Sequence, residues 1–358
     1  MNLIAHILFS IILCYIVRAT NTPPTIPNLL FDKTYIAALI GSIIIDLDHI
    51  PYMGKALKTK RFSPHIRSRY HELFGFIVFG SISLLIYMII DKGLGLGFYI
   101  GITTHYLLDT LTRPTRPFFP YNDTIMFYGL APRKNLKDLA YFDLYVTLTL
   151  AIIYLYIIGY NFLLPLTIPF IILFLYYSIV KADKVEDEAE NELYRPQLNG
   201  KTEPRRLEIA VYGKIILEKI FRGIAFKLSK IHPDKISGIS LFLSIFIPIF
   251  LIYRYTILAI ILLFLVLILD ALDGLVARIR GLKRGIKGWI VDLGTDRFSE
   301  AIISISSPHF LLPLTLLNTA LSIYSLKTNR HIIIPVRQLY LFFLIITLFD
   351  QNLLFIIY

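Results

Sequence analysis

The chain has 358 residues, of which 56% are hydrophobic and 17% charged, with a formal net charge of +11 and a mean hydropathy of +0.66. Such a composition excludes an ordinary soluble globular protein, which fills its core with far less apolar sequence. The single cysteine, Cys14, excludes an intrachain disulfide and argues against a thiolate metal site.

Apolar runs of roughly 17–22 residues match the helix length that crosses a hydrocarbon core of about 30 Å. Spans are expected in the first half at 3–18, 35–50, 71–90, 94–111, 139–159 and 162–180. The first run has no basic segment before it and no small-residue cleavage site after it, so a retained span is expected rather than a signal peptide. A polar stretch, 181–206, follows with an acidic cluster from Asp183 to Glu192, then Pro196, Asn199, Gly200 and Pro204. Its composition marks a domain boundary. Residues 207–230 mix Leu207, Val211, Ile215 and Phe221 with Lys214, Glu218, Lys219 and Arg222, the pattern of a helix lying along a membrane surface. Further spans are expected at 236–253, 255–277, 289–307, 309–326 and 333–349, and the tail 351–358 is too short to cross. The expected fold is all-α: a polytopic helical membrane protein with two transmembrane bundles, 1–180 and 207–358, joined by the polar linker and the amphipathic interfacial helix.

Basic residues concentrate in alternate loops. Lys55–Arg69, Arg113–Lys137, Arg280–Lys287 and Lys327–Arg330 fall on one side, against Arg18, Lys33, Lys92 and Arg254 on the other. Positive charge marks cytoplasmic loops, so these loops are expected to face the cytoplasm of a cell-membrane protein. Membrane orientation accounts for the net charge. No interleaved aromatic and basic patch suggests a nucleic-acid partner.

The densest chemistry is Asp270-Ala-Leu-Asp273-Gly274-Leu-Val-Ala277-Arg278, nine residues, then Gly288-Trp-Ile-Val-Asp292-Leu-Gly-Thr-Asp296. Asp270 and Asp273 share one helix face, and Asp292 and Asp296 share another. The short basic loop between them is expected to fold the two helices into a hairpin. Four carboxylates at membrane depth repel unless compensated. One or two divalent cations would resolve that repulsion, and hard oxygen ligands suit Mg²⁺ or Mn²⁺. Such ions clamp a pyrophosphate while one carboxylate serves as general base. Gly274, Ala277 and Gly288 leave room for a nucleotide, and Arg278 offers a positive charge to phosphate. The competing structural reading, in which the aspartates cap helices or pair with Arg278, Arg280 and Arg297, suits one aspartate better than four.

This stretch resembles the signature of CDP-alcohol phosphatidyltransferases, over about 205–358. Arg297, Glu300 and His232-Pro233-Asp234-Lys235-Ile236-Ser237 resemble the archaeal branch. The resemblance implies that Asp270, Asp273 and Asp292 are metal ligands and that Asp296 is both ligand and catalytic base. It implies that Gly274, Ala277, Arg278 and Gly288 bind the CDP group. The donor is then a CDP-activated membrane lipid, ether-linked by the archaeal likeness. The acceptor is a hydroxyl of a small alcohol, and CMP leaves. Lys283, Arg284, Lys287, Arg330 and Arg337 are candidates to receive a phosphorylated acceptor, or else they serve topology. A homodimer is left open.

Five of the eight histidines lie in the first 105 residues. His6, Asp46, Asp48, His49, His71, His105 and Asp109 all fall near cytoplasmic helix ends, with His65 a weaker member in a basic loop. Mixed His and carboxylate ligands fit Zn²⁺, Mn²⁺ or Fe²⁺, and this is the candidate second metal site. His232, His309 and His331 are read as structural. The matching pieces His6–Ser10, Ile45–His49, Arg67–His71 and Gly101–Pro120 resemble a family of predicted membrane-bound metal-dependent hydrolases over 1–180. Ile66 and Ser68 replace a histidine and a glycine of that family, which weighs against hydrolysis and spares metal binding.

The leading expectation is a phospholipid-synthesis transferase with an accessory membrane domain. One alternative is a membrane-bound metal-dependent phosphoester or lipid hydrolase using the histidine cluster. Another is a non-enzymatic ion-binding transporter or scaffold, since intramembrane carboxylates also mark ion pathways.

Overall fold

The computed structural model describes residues 3–18, 24–49, 68–132, 135–182, 220–282, 285–328, 330 and 332–349. The described residues are mostly helical, with residues 113–132 non-helical and no β-strand among them. They divide into two units. The first is Met1–Thr115 with Gly129–Lys184, and the second is Val185–Tyr358 with Arg116–Tyr128. The polar linker expected at 181–206 lies outside the described residues from 183 onward.

In the first unit the helices are α1 (Leu3–Arg18), α2 (Ile26–Phe31), α3 (Lys33–Ile44), α4 (Leu73–Leu85), α5 (Lys92–Thr112), α6 (Leu136–Ile157) and α7 (Thr167–Tyr176). A 3-10 turn, Ile45–His49, extends α3, and another, Arg69–His71, precedes α4. Asp32 caps α3 through the Thr34 amide at 2.9 Å, and Asp91 caps α5 through the Leu94 amide at 2.9 Å.

The α3–α5 contact is the most extensive between any two described helices. Glycine spacing explains it. Gly93, Gly97, Gly101 and His105 recur every four residues and so form one stripe along α5. A Cβ on Gly97 would stand 2.2 Å from the Thr34 carbonyl oxygen, and one on Gly101 would stand 2.3 Å from that of Ala38. Small residues every fourth position let apolar helices approach backbone to backbone where the hydrophobic effect gives no drive. The stripe therefore seats His105 against the end of α3.

In the second unit the helices are α8 (Pro233–Ser244), α9 (Phe246–Ile252), α10 (Thr256–Ile279), α11 (Gly285–Ile303), α12 (Pro308–Thr328) and α13 (Val336–Phe349). His232 caps α8 and Pro233 fills its first turn, where a missing N–H is harmless. Packing of α8 against both α10 and α11 joins the two signature helices, whose direct contact is slight. The expected hairpin is thus a three-helix arrangement, with α8 holding the aspartate helices together. Ile247, Leu251, Leu263, Val266, Leu311, Tyr340 and Leu344 fill the core at the other end. The amphipathic segment is described from 220, and residues 220–228 are helical. Its Ala225 packs with Leu272, Leu275 and Val276 of α10, while Ile220 and Phe226 stay exposed. This helix therefore braces the signature helix as well as presenting an apolar face.

Among the described residues, six helices are long and apolar enough to cross a membrane: Leu73–Ile90, Lys137–Ile157, Asn161–Lys181, Pro233–Ile252, Thr256–Ile279 and Pro308–Thr328. Leu3–Arg18 and Val336–Phe349 are shorter apolar helices. The spans expected at 35–50, 94–111 and 289–307 are helices that fall short of this standard. The reason is physical: they carry the glycines, threonines, histidines and carboxylates that face other helices. Lipid-facing apolarity is concentrated instead in Lys137–Ile157 and Asn161–Lys181, which bury only 11% and 6% of their apolar windows.

Gly101→Ala should force α3 and α5 apart and destabilise the first unit by about 1–3 kcal/mol, as overpacking does. Thermal unfolding in detergent reads this directly, and an unchanged midpoint would contradict the close approach.

Candidate functional site

Three of the four aspartates are half-buried: Asp270 near the end of α10, and Asp292 and Asp296 on α11. Asp273, one turn after Asp270, is buried at 3% exposure. Asp273 lies near Asp292, Asp270 and Asp296, and one guanidinium, that of Arg337, bonds to both Asp270 and Asp296. The expected convergence therefore exists in the folded chain.

The residues that compensate this charge come from elements other than α10 and α11. On α8, Ser237 donates to Asp273, and Ser240 lies 3.4 Å from Asp270 Oδ1. From α13, Arg337 donates through Nη2 to both Asp270 Oδ2 and Asp296 Oδ1. Arg337 is itself 3% exposed, so this is a buried ion pair and not a surface one. Behind it lies a second buried network. Arg297 donates to Glu300 Oε1 at 2.9 Å, and Asn318 donates to the same carboxylate at 3.0 Å. Asn318 also accepts from the Ile334 amide at 2.8 Å and donates to the Ile334 carbonyl at 2.8 Å. That double bond fixes the chain just before α13 and hence the root of Arg337.

Around the carboxylates, Ala277 and Gly288 are buried and Arg278 is exposed. A Cβ on Gly274 would meet only the Arg278 guanidinium, at 3.6 Å, so the glycine faces open space. Among the expected acceptor residues, Arg337 joins the aspartates, Lys287 is half-buried and Arg330 is exposed. Lys283 and Arg284 lie outside the described residues. The donor set is carboxylate and hydroxyl oxygen, the chemistry of Mg²⁺ or Mn²⁺. Sequence reading missed Ser237, Ser240 and Asn318 as parts of the site. The signal was there in Ser237, Ser240 and Ser244, a hydroxyl stripe on an apolar helix.

In the first unit, His6 from α1, Asp46 and Asp48 from the turn after α3, His71 from the turn before α4, and His105 and Asp109 from α5 come together. Ligand atoms of His6, His105 and Asp109 lie within 4.8 Å of one another, as do those of Asp46, His71 and His105. His105 Nε2 is 3.4 Å from His71 Nε2, 3.7 Å from Asp46 Oδ1 and 3.9 Å from Asp109 Oδ2. His6 Nε2 is 3.4 Å from Asp109 Oδ1, and its ring stacks on His105 at 4.0 Å. His105 Nδ1 lies 2.8 Å from the Ser42 carbonyl oxygen. A carbonyl only accepts, so Nδ1 carries the proton and Nε2 presents a lone pair to the cluster. Metal-binding histidines are oriented in this way.

Asp48 stands one step out, 2.8 Å from His71 Nδ1, and accepts from Ser68. Ser68 also receives the Tyr70 amide at 3.0 Å, so the residue that departs from the family's pattern starts the turn carrying His71. Glu72, buried at 1% beside His71, was not foreseen. The side chain of His49, and all of His65, lie outside the described residues.

The model of the YdjM inner membrane protein family matches residues 1–185, just over half of the chain. The chain belongs to that family. The model of the CDP-alcohol phosphatidyltransferase family matches residues 230–351. No curated protein and no solved structure matches the chain significantly. The YdjM match takes in every member of the histidine cluster, and the phosphatidyltransferase match takes in all four aspartates with Ser237, Ser240 and Arg337. Both family resemblances of the motifs are thereby borne out. The second match supports a phosphotransferase activity in a multi-pass membrane protein.

His105→Ala removes the atom common to both triads of the YdjM-family region. Even outer partners of a metal site contribute about 10–100-fold in affinity, so loss of His105 should weaken Zn²⁺ or Mn²⁺ binding by at least that much. Metal titration of the chelator-stripped protein, in an Asp273→Asn background that disables the other site, measures this. Undiminished affinity would rule the cluster out as a metal centre.

Proposed function

We propose that the second unit transfers a phosphatidyl-type group from a CDP-activated membrane lipid to the hydroxyl of a small alcohol, releasing CMP in phospholipid synthesis. The observation that carries this reading is the gathering of four aspartates from α10 and α11, with hydroxyls of α8 directed onto two of them. Asp270, Asp273, Asp292 and Asp296 would hold Mg²⁺ or Mn²⁺. When bound, these ions neutralise the pyrophosphate and the leaving phosphate.

The chain's own residues account for the remaining chemistry. Ser237 and Ser240 orient Asp273 and Asp270 and keep them from turning away from the site. Gly274 leaves space for the cytidine diphosphate. Asp296, half-exposed, takes the proton of the acceptor hydroxyl. The oxygen then bonds to the phosphorus bearing the lipid, the bond from that phosphorus to CMP breaks, and CMP departs. Arg337 bonds to Asp270 and Asp296 and offers a guanidinium at the site that could also meet an acceptor phosphate. This favours a phosphorylated alcohol as acceptor. The archaeal-like residues Arg297, Glu300 and His232–Ser237 favour an ether-linked lipid. The basic loops favour a cytoplasmic face for the site.

A second reading concerns the first unit. The lone pair of His105 Nε2, aimed at Asp46, His71 and Asp109, favours a metal-dependent phosphoester hydrolase there, with Zn²⁺, Mn²⁺ or Fe²⁺ as the ion. It requires product release without an alcohol acceptor.

Purified protein supplied with CDP-lipid, Mn²⁺ and a panel of alcohols should release CMP and form one new lipid, identified by its mass. Asp296→Asn should reduce CMP release by about a hundredfold or more, the usual contribution of a positioned base. Wild-type rates in that variant would overturn the assignment of Asp296. Release of phosphate without acceptor, abolished by His105→Ala and not by Asp296→Asn, would favour the hydrolase.

A further inference from the structure

Residues 116–128 lie in the half of the sequence matched by the YdjM family, yet they belong to the second unit. They are an ordered strap. Arg116 stacks on Phe119 at 4.1 Å and pairs with Asp123 at 3.4 Å. The Phe119 amide bonds to the Arg116 carbonyl and that of Tyr121 to the Phe118 carbonyl, both at 2.8 Å. Phe118, Met126 and Tyr128 are buried to 1% exposure or less.

The strap packs on α11 at residues that lie between Asp292 and Asp296. Tyr128 Oη lies 2.7 Å from Thr295 Oγ1. Thr295 spends its own proton on the Val291 carbonyl at 2.8 Å, so the tyrosine is the donor. A Cβ on Gly294 would stand 3.1 Å from Met126 Sδ and 3.2 Å from Pro117 Cγ, so the glycine is what lets the strap approach. At its middle, Tyr121 lies under the Lys327 ammonium of α12 at 4.2 Å. Gly294 and Thr295 fall between Asp292 and Asp296 in the chain. A segment fixed to them sets the rotation of α11, and with it the direction of both carboxylates.

We infer that the 116–128 strap is a positioning element for the aspartate site, with Tyr128 acting through Thr295 on Asp292 and Asp296. The phosphotransferase then depends on a segment outside its own family region. This rests on the proposed phosphotransferase reading. Tyr128 touches no reacting atom, so its loss should change how well the carboxylates are aimed rather than how tightly the lipid binds. A net hydrogen bond of this kind is worth roughly a fivefold effect.

The test compares wild type, Tyr128→Phe, Thr295→Val and the double variant in CMP release, with thermal unfolding in detergent as a control. Tyr128→Phe should lower kcat about fivefold and raise the Mn²⁺ concentration for half-activity, with KM for CDP-lipid unchanged and the variant still folded at the assay temperature. Thr295→Val should do the same, and the double variant should lose no more than either single one. If Tyr128→Phe does not fold, Thr295→Val deletes the same bond from the other side and is read alone. Unchanged kcat and Mn²⁺ dependence in an active enzyme would overturn the strap's role, as would additive losses. If the wild type releases no CMP, the phosphotransferase reading fails. The strap is then judged by Mn²⁺ affinity in titration, where weakening by Tyr128→Phe supports it and no change refutes it.

Discussion

Carboxylates set deep among apolar helices dominate the construction of this protein. An uncompensated charge at membrane depth is expensive, whichever scale is used. Each unit meets that constraint with different chemistry. The second unit places a buried guanidinium, Arg337, against Asp270 and Asp296 and sets serine hydroxyls on Asp270 and Asp273. The first unit interleaves Asp46, Asp48 and Asp109 with three histidines. Much else follows from these choices. Asn318 and Glu300 exist in the core because Arg337 and Arg297 need a fixed frame, and Ser68 and Ser42 hold Asp48 and His105 in place.

Small residues make such compensation reachable. The glycine stripe of α5 draws α3 close enough for the Ser42 carbonyl to reach a histidine imidazole. The serine stripe of α8 brings hydroxyls to two aspartates of α10 and also bonds Ser299 of α11 through Ser244 at 2.7 Å. In the first unit the helix that carries His105 and Asp109 falls short of a membrane span, whereas in the second unit Asp270 and Asp273 sit at the end of a strongly apolar helix, Thr256–Ile279. The same trade explains why three expected spans fall short in length or apolarity although each forms a helix.

The two family matches divide the chain, with the YdjM inner membrane protein region ending at 185 and the phosphatidyltransferase region beginning at 230. The contact pattern divides it differently, since Arg116–Tyr128 belongs to the second unit. Family boundaries follow sequence inheritance, whereas units follow packing.

Sequence alone determined the helical membrane class, the four aspartates and the histidine cluster, because helix period and apolar length are local properties. The spacing of Asp270 and Asp273, and of Asp292 and Asp296, fixed which face each pair shares before any packing was known. Tertiary structure decided what neutralises those charges. Nothing near Asp270 in the sequence points to Arg337, which lies 67 positions away, or to Ser240, 30 positions away. It also decided that α8, rather than a simple hairpin, joins the aspartate helices, and that Tyr128 meets Thr295 across 167 positions. Local pattern says which residues are too polar to face lipid. Only the packed chain determines which distant partner makes their burial affordable.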